Sequence, residues 1–399
     1  MKLNIKKLAV SAGVLVSVAG TGLVAMPAGA IPAASHPGAV LNAVGSDTTY
    51  WMMQGLTNQY NVDSTVNTEV PKDRIINTPP ILTAPFPSSS IVPPETGSGA
   101  TNNGKVYTLG GNPVTVTDGT NTTTGPLAAN LPPNGSGAGK TALNADSDGT
   151  VDFSRSSSGL GTGTAGTNQY FAYALDALTW AEFPGTYAPK DLNPVQIKAI
   201  YTCDPSTGAP YYTDWSQVGG KPGAIKKFAP QTSSGTYKFF NAKYLGGSTI
   251  DAGCDSSHLS TFIQEHDATG VPKASQKGAI LPFSVAQYTA ASKFVIPDLR
   301  NGIKLGTVGG IKASATTINE NPGHFFGVRY VYNILRTDAP QYDDSLRFAS
   351  VDAAGPGYLC NGNATVSSII LTYGFIPLAN GATGGVLPAS SCRLNPADL

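Results

Sequence analysis

The chain has 399 residues, with 25 Lys and Arg against 25 Asp and Glu, so its formal net charge is zero. That balance excludes a protein built mainly to coat nucleic acid or an acidic membrane surface. Charged residues are only 13%, 46 Gly and 30 Pro imply many turns and long loops, and an apolar share of 41% is ample for a buried core.

The first thirty residues read as a secretory signal peptide. Lys2, Lys6 and Lys7 form its positive end, residues 8–26 an apolar run, and Ala28-Gly29-Ala30 a small-residue cleavage site. Cleavage after Ala30 removes three Lys and leaves a net charge of −3. Ile31 and not Cys stands directly after that site and residues 393–399 carry no apolar tail, so the expectation is an exported, released or surface-held protein without a lipid anchor. The four cysteines, Cys203, Cys254, Cys360 and Cys392, lack metal-knuckle spacing. An even count in an exported chain favours two disulfides, and pairing in sequence order closes the shortest loops; buried thiols are the alternative.

Residues 31–42 are a Pro/Ala/Gly-rich linker that runs into a short strand, Val40-Leu41-Asn42-Ala43-Val44, with a polar break at Asn42. Gly45-Ser46-Asp47-Thr48-Thr49 then opens an amphipathic helix over 50–60. Residues 63–131 are dominated by Thr, Pro, Asn, Gly and Ser and hold too few apolar residues for a core of their own. They are expected as an insertion carrying a hairpin, 106–109 against 114–117. Further on, the pattern predicts a helix start at Asn134 to Gly139, a strand at Val151-Asp152-Phe153 and a strand at 170–175. Helices follow over 193–201, 237–244 and 285–293, then a strand over 330–335 and a helix start near 366. Alternating short strands and helices mean an α/β fold.

Four polar turns share one design: Ser46 to Thr49, Asn134-Gly135-Ser136 to Gly139, Arg155-Ser156-Ser157-Ser158, and Ser233-Ser234-Gly235-Thr236, three of them opening a helix. A helix start presents unpaired N–H groups at the positive end of its macrodipole, and small residues let an anion approach. Such turns suit an oxyanion, with Arg155 as the one cation among them. Two other patterns fall short. Asn134 to Thr141 lacks the first Gly of a phosphate-binding P-loop and follows Pro132-Pro133 instead of an apolar strand. The acidic run from Asn144 to Asp148 lacks the carboxylate of a calcium loop, since Arg155 stands at its twelfth position. No G-x-S-x-G or HExxH motif is present, so neither a metal, a cofactor nor an enzymatic activity is expected.

These turns, with the helix over 192–201 and Pro282-Phe283-Ser284-Val285-Ala286-Gln287-Tyr288, resemble the phosphate-binding-protein-like group of type 2 periplasmic binding proteins, most of all its exported actinobacterial members. The resemblance implies two α/β lobes joined by a hinge, residues 43–178 with 279–399 and residues 179–278, with ligand in the cleft between them. It implies a monomer, a small phosphate-like oxyanion as ligand and an ABC-type permease as partner. Carried over, the contacts are Ser46, Thr48 and Thr49, then Ser156 and Ser157, then Ser234, Gly235 and Thr236. Two positions depart from that pattern: the turn at 156–158 offers no Asp, and Pro230 stands where those receptors carry an Arg. A secreted interaction protein that keeps the fold without transport is the alternative reading.

Overall fold

The computed structural model describes residues 40–63, 73–80, 106–109, 114–118, 121–125, 132–146, 149, 151–160, 166–349, 351–352, 355–378 and 392–394. The stretch read as a signal peptide and most of the expected linker lie outside these residues. In chain order the strands are β1 (Val40–Gly45), β2 (Arg74–Asn77), β3 (Val106–Leu109), β4 (Val114–Asp118), β5 (Asn121–Gly125), β6 (Phe153–Ser156), β7 (Asn168–Glu182) and β8 (Asp191–Leu192). They continue with β9 (Lys226–Pro230), β10 (Thr261–Ile263), β11 (Ala279–Ser284), β12 (Lys304–Leu305), β13 (Thr307–Val308), β14 (Val328–Arg336), β15 (Val351–Asp352), β16 (Gly355–Pro356), β17 (Ile376–Pro377) and β18 (Arg393–Leu394). The helices are α1 (Asp47–Val62), α2 (Ser136–Ala145), α3 (Pro194–Tyr201), α4 (Gly235–Lys243), α5 (Val285–Ser292), α6 (Tyr342–Ala349) and α7 (Ala364–Thr372).

The protein is α/β, and one large sheet runs β10-β9-β11-β7-β14-β6-β1-β2. β1 pairs in parallel with β2 and β6, and β9 with β10 and β11, whereas β7 and β14 run antiparallel to their neighbours. The fifteen residues of β7 serve both ends of this sheet. Residues 168–177 pair with β14, and residues 178–181 with β11. The lobe boundary expected near residue 178 therefore falls inside a continuous strand.

Burial follows from this layering. Central strands covered on both faces read as apolar runs, and the polar break of β1 is absorbed: Asn42 is fully buried, its side-chain oxygen accepts from the Thr78 hydroxyl at 2.7 Å, and its N–H donates to Asp152 at 2.7 Å. One core gathers Met52, Leu56, Phe153, Phe348 and Ile370 under α1, α6 and α7. Another, with Phe183, Phe228, Leu281 and Phe283, sits at the opposite end of the sheet. The largest runs between the two halves, from Val44 and Leu143 to Ile197, Trp215 and Phe240.

The segment expected as an insertion is divided. Residues 74–77 form β2, an edge strand of the main sheet, and Asp73 beside them ion-pairs with Arg347 of α6. The hairpin expected over 106–117 is there and gains a third strand, giving a separate meander β3-β4-β5. Both cysteine pairs form disulfides in sequence order, Cys203–Cys254 and Cys360–Cys392. α3 starts as its sequence dictates: Pro194 at its first position, and Asn193 and Gln196 capping each other's N–H.

Candidate functional site

The polar turns meet because neighbouring strands end at the same level. β1 stops at Gly45, and Ser46 turns the chain into α1 with its N–H donating to the Arg155 carbonyl at 3.0 Å. Asn134 bridges to Gly45, and α2 then starts against β1 so closely that a Cβ on Gly139 would lie 2.5 Å from the Gly45 Cα. Gly135 precedes α2 at φ +94°, a conformation open to glycine, and the Gly137 N–H donates to the Ser233 carbonyl at 2.9 Å. That bond crosses to the other half, where Ser234 caps α4 by accepting from the Tyr237 N–H at 3.1 Å.

All four turns contribute to one buried cluster. The Thr48 hydroxyl reaches Ser157 Oγ at 3.1 Å and Thr236 Oγ1 at 3.5 Å. Ser136 Oγ accepts from the Ser157 N–H at 3.0 Å and lies 3.5 Å from Ser157 Oγ. Gly235 is required at its place, since a Cβ there would stand 2.2 Å from Ser136 Oγ and 2.4 Å from Ser157 Oγ. Thr48, Ser157, Ser234 and Thr236 have no exposed surface.

Arg155 is not the cation of this cluster. It is fully buried, and its guanidinium donates to the carbonyls of Ala43 (2.7 Å), Thr78 (2.9 Å), Gly45 (3.2 Å) and Ser46 (3.4 Å) and to Asn77 Oδ1 (2.7 Å). Every donor is spent on tying the ends of β1 and β2 together, so the expected ligand contact is corrected to a structural one. Arg329 of β14 takes its place. Its Nη1 donates to the Ser157 carbonyl at 3.1 Å and to Thr236 Oγ1 at 3.2 Å, while Nε and Nη2 hold Asp176 of β7 at 3.1 and 2.8 Å.

The loop after β10 supplies what the turns alone do not show. Glu265 is 3% exposed, and its Oε2 accepts from the Ser234 hydroxyl at 2.6 Å and lies 3.5 Å from Thr48 Oγ1. Burial raises its pKa, against the opposing pull of Ser234, Thr236 and Arg329. His266, held at φ +63°, a strained conformation for a non-glycine residue, places Nε2 2.8 Å from Thr48 Oγ1. The Ser284 N–H lies 3.5 Å from His266 Nδ1 on the other side of the ring. Burial, reinforced by Arg329, lowers the His266 pKa well below the usual value and keeps the ring neutral. The arrangement is suited to holding a polar group.

The remaining candidate residues sit around this centre. Ser46 is buried, and its Oγ has no hydrogen-bond partner. Thr49 lies one position further along α1, buried and facing Tyr173. Ser156 turns away and donates to the Ser158 carbonyl at 2.7 Å. Asn134 joins the halves: its Nδ2 donates to Gln264 at 2.9 Å, and its Oδ1 accepts from Gln231 at 3.2 Å. Gln264 also donates to Asp47 Oδ2 at 2.8 Å. Among the described residues no group of His, Cys, Asp and Glu is arranged to hold a metal ion.

No protein-family model matches the chain, and no curated protein matches it. Among solved structures it is similar to an ABC-type phosphate transport receptor from Vibrio cholerae, with 15% identity and a TM-score of 0.49, over 84% of this chain and 99% of that one. It is also similar to PstS from Borrelia burgdorferi, with 13% identity and a TM-score of 0.42, over 85% of this chain and 98% of that one. What this chain binds has to be read from its own residues.

Proposed function

We propose that this is an exported solute-binding protein that takes phosphate or a similar oxyanion between its two halves and passes it to an ABC-type permease. The observation that carries the reading is the convergence at one buried point of Thr48, Ser136, Ser157 and Thr236 with the cation Arg329, drawn from both halves. The chemistry is already in use there: Glu265 lends the cluster a side-chain oxyanion, and the Ser234 hydroxyl donates to it. Export rests on the first thirty residues and fits the two disulfides.

Glu265 also sets a condition on the ligand. A carboxylate and an oxyanion in one enclosed site repel unless a proton lies between them. Hydrogen phosphate brings that proton. Sulfate does not, and must draw one from solvent. Calorimetry with both ions tests this. Phosphate should bind more tightly than sulfate, and sulfate binding should weaken as the pH rises. Glu265→Gln should strengthen sulfate binding by about 1.5–3 kcal/mol, the scale of one hydrogen bond to a charged group. No heat from either ion, in the native protein and in the variant alike, would remove the reading.

A further inference from the structure

Beside the cluster, and sharing Glu265 and His266 with it as a wall, lies a cavity of about 510 Å³. That volume suits an organic molecule. Its lining pairs three carboxyl groups, Asp47, Glu265 and Asp267, with the aromatic rings of Tyr50, Trp51 and Phe283. Glu265 stands between the two spaces: its Oε2 is engaged by Ser234 of the cluster, and the residue also lines the cavity. Arg300 also lines the cavity, but its guanidinium is held in a two-pronged pair by Asp298, at 2.8 Å through both Nε and Nη2, and lies over the Tyr288 ring at 5.1 Å. Arg155 covers one face of Tyr50 at 5.6 Å, and Phe283 packs edge-on against the His266 ring at 5.4 Å.

Carboxyl groups and aromatic faces around one space attract the same kind of guest. The carboxyl groups offer hydrogen-bond acceptors, and the rings offer their negative faces to a cation. We propose that this cavity is a subsite for an organic ammonium group, so that the ligand is a zwitterion whose oxyanion sits in the hydroxyl cluster and whose ammonium arm reaches past Glu265. The zwitterionic form rests on the oxyanion reading above; the ammonium subsite is testable by itself.

Calorimetry of the full chain at neutral pH with inorganic phosphate, ethyl phosphate, ethanolamine phosphate and ethanolamine separates the two. Ethanolamine phosphate should bind about tenfold or more tightly than ethyl phosphate, the scale of one charge-assisted hydrogen bond. Asp267→Asn should erase most of that difference and leave the affinity for inorganic phosphate unchanged. Asn keeps the short side chain that caps the turn at Thr269. Equal binding of ethyl phosphate and ethanolamine phosphate overturns the ammonium subsite and leaves the oxyanion reading standing. Equal binding of ethanolamine and its phosphate, with no heat from inorganic phosphate, supports the subsite and overturns the oxyanion reading. No heat from any of the four overturns both.

Discussion

Two arginines show how a buried charge acquires its role. Arg155 satisfies its donors with four carbonyls and an amide oxygen, and so fastens strand ends. Arg329 is paired with Asp176 and also donates to Thr236, so its charge lies within the hydroxyl cluster. Replacing Arg329 by Met would leave the fully enclosed Asp176 carboxylate without its cation. Urea denaturation should show a loss of about 3–5 kcal/mol, and Asp176→Asn in the same chain should recover part of it. Equal stability of the single variant and the native protein would mean that this pair carries no weight. The sequence made the hydroxyl turns legible because four of them stand in one chain, although each alone reads as a helix cap. It did not separate the arginines. Arg155 stands among serines and looks available, whereas Arg329 is hidden in an apolar strand, and only pairing between distant strands reveals that Asp176 lies opposite it. The lone Asp in the apolar stretch of β7 and the lone Arg near the start of β14 were the signal that could have found this pair. Glu265 and His266 lie in the run Gln264-Glu265-His266-Asp267, which marks no element by itself.

At the scale of elements, helices announced by a cap were the readable ones. α1, α3, α4 and α5 begin within a few residues of where Ser46, Asn193, Ser234 and Ser284 place them. α6 was not foreseen. Its apolar Leu346 and Phe348 are separated by Arg347, whose partner Asp73 comes from a segment that composition alone assigns to an insertion. β2 was missed for the same reason: four residues among Pro and Thr gain their strand character from lying beside β1. In the second half, the Cys203–Cys254 bond joins the end of α3 to the turn after Ile250, in a region of many loops. Replacing both cysteines by Ala should cost about 3–4 kcal/mol by loop-closure arithmetic. Thermal melting of the native and double-variant proteins measures it, and unchanged melting would show that packing around Trp215 suffices without the crosslink.

For the whole molecule, proton balance links the site to stability. Asp47 is pushed up to about 8, by burial first and then by the charge of Glu265. An acid whose folded pKa lies above its unfolded value binds more protons when folded. Its contribution is complete below the unfolded value near 4 and is lost as the pH rises towards 8. His266 acts at the other end. Its folded pKa lies below the usual 6.5, so stability falls as the pH drops through that value and the unfolded chain takes up the proton. Asp47→Asn should therefore raise the melting temperature at pH 8 relative to the native protein and change it little at pH 4. Parallel pH profiles for the two proteins would refute the assignment.

β7 gives the molecule one more property. A ribbon that forms ladders with both halves cannot be parted at their junction without sacrificing backbone pairing, so any gape between them must come from added twist along this common spine. Such bending would part the hydroxyls that the two halves bring to the cluster, and admission of a guest becomes a matter of how far the spine flexes before its ladder resists.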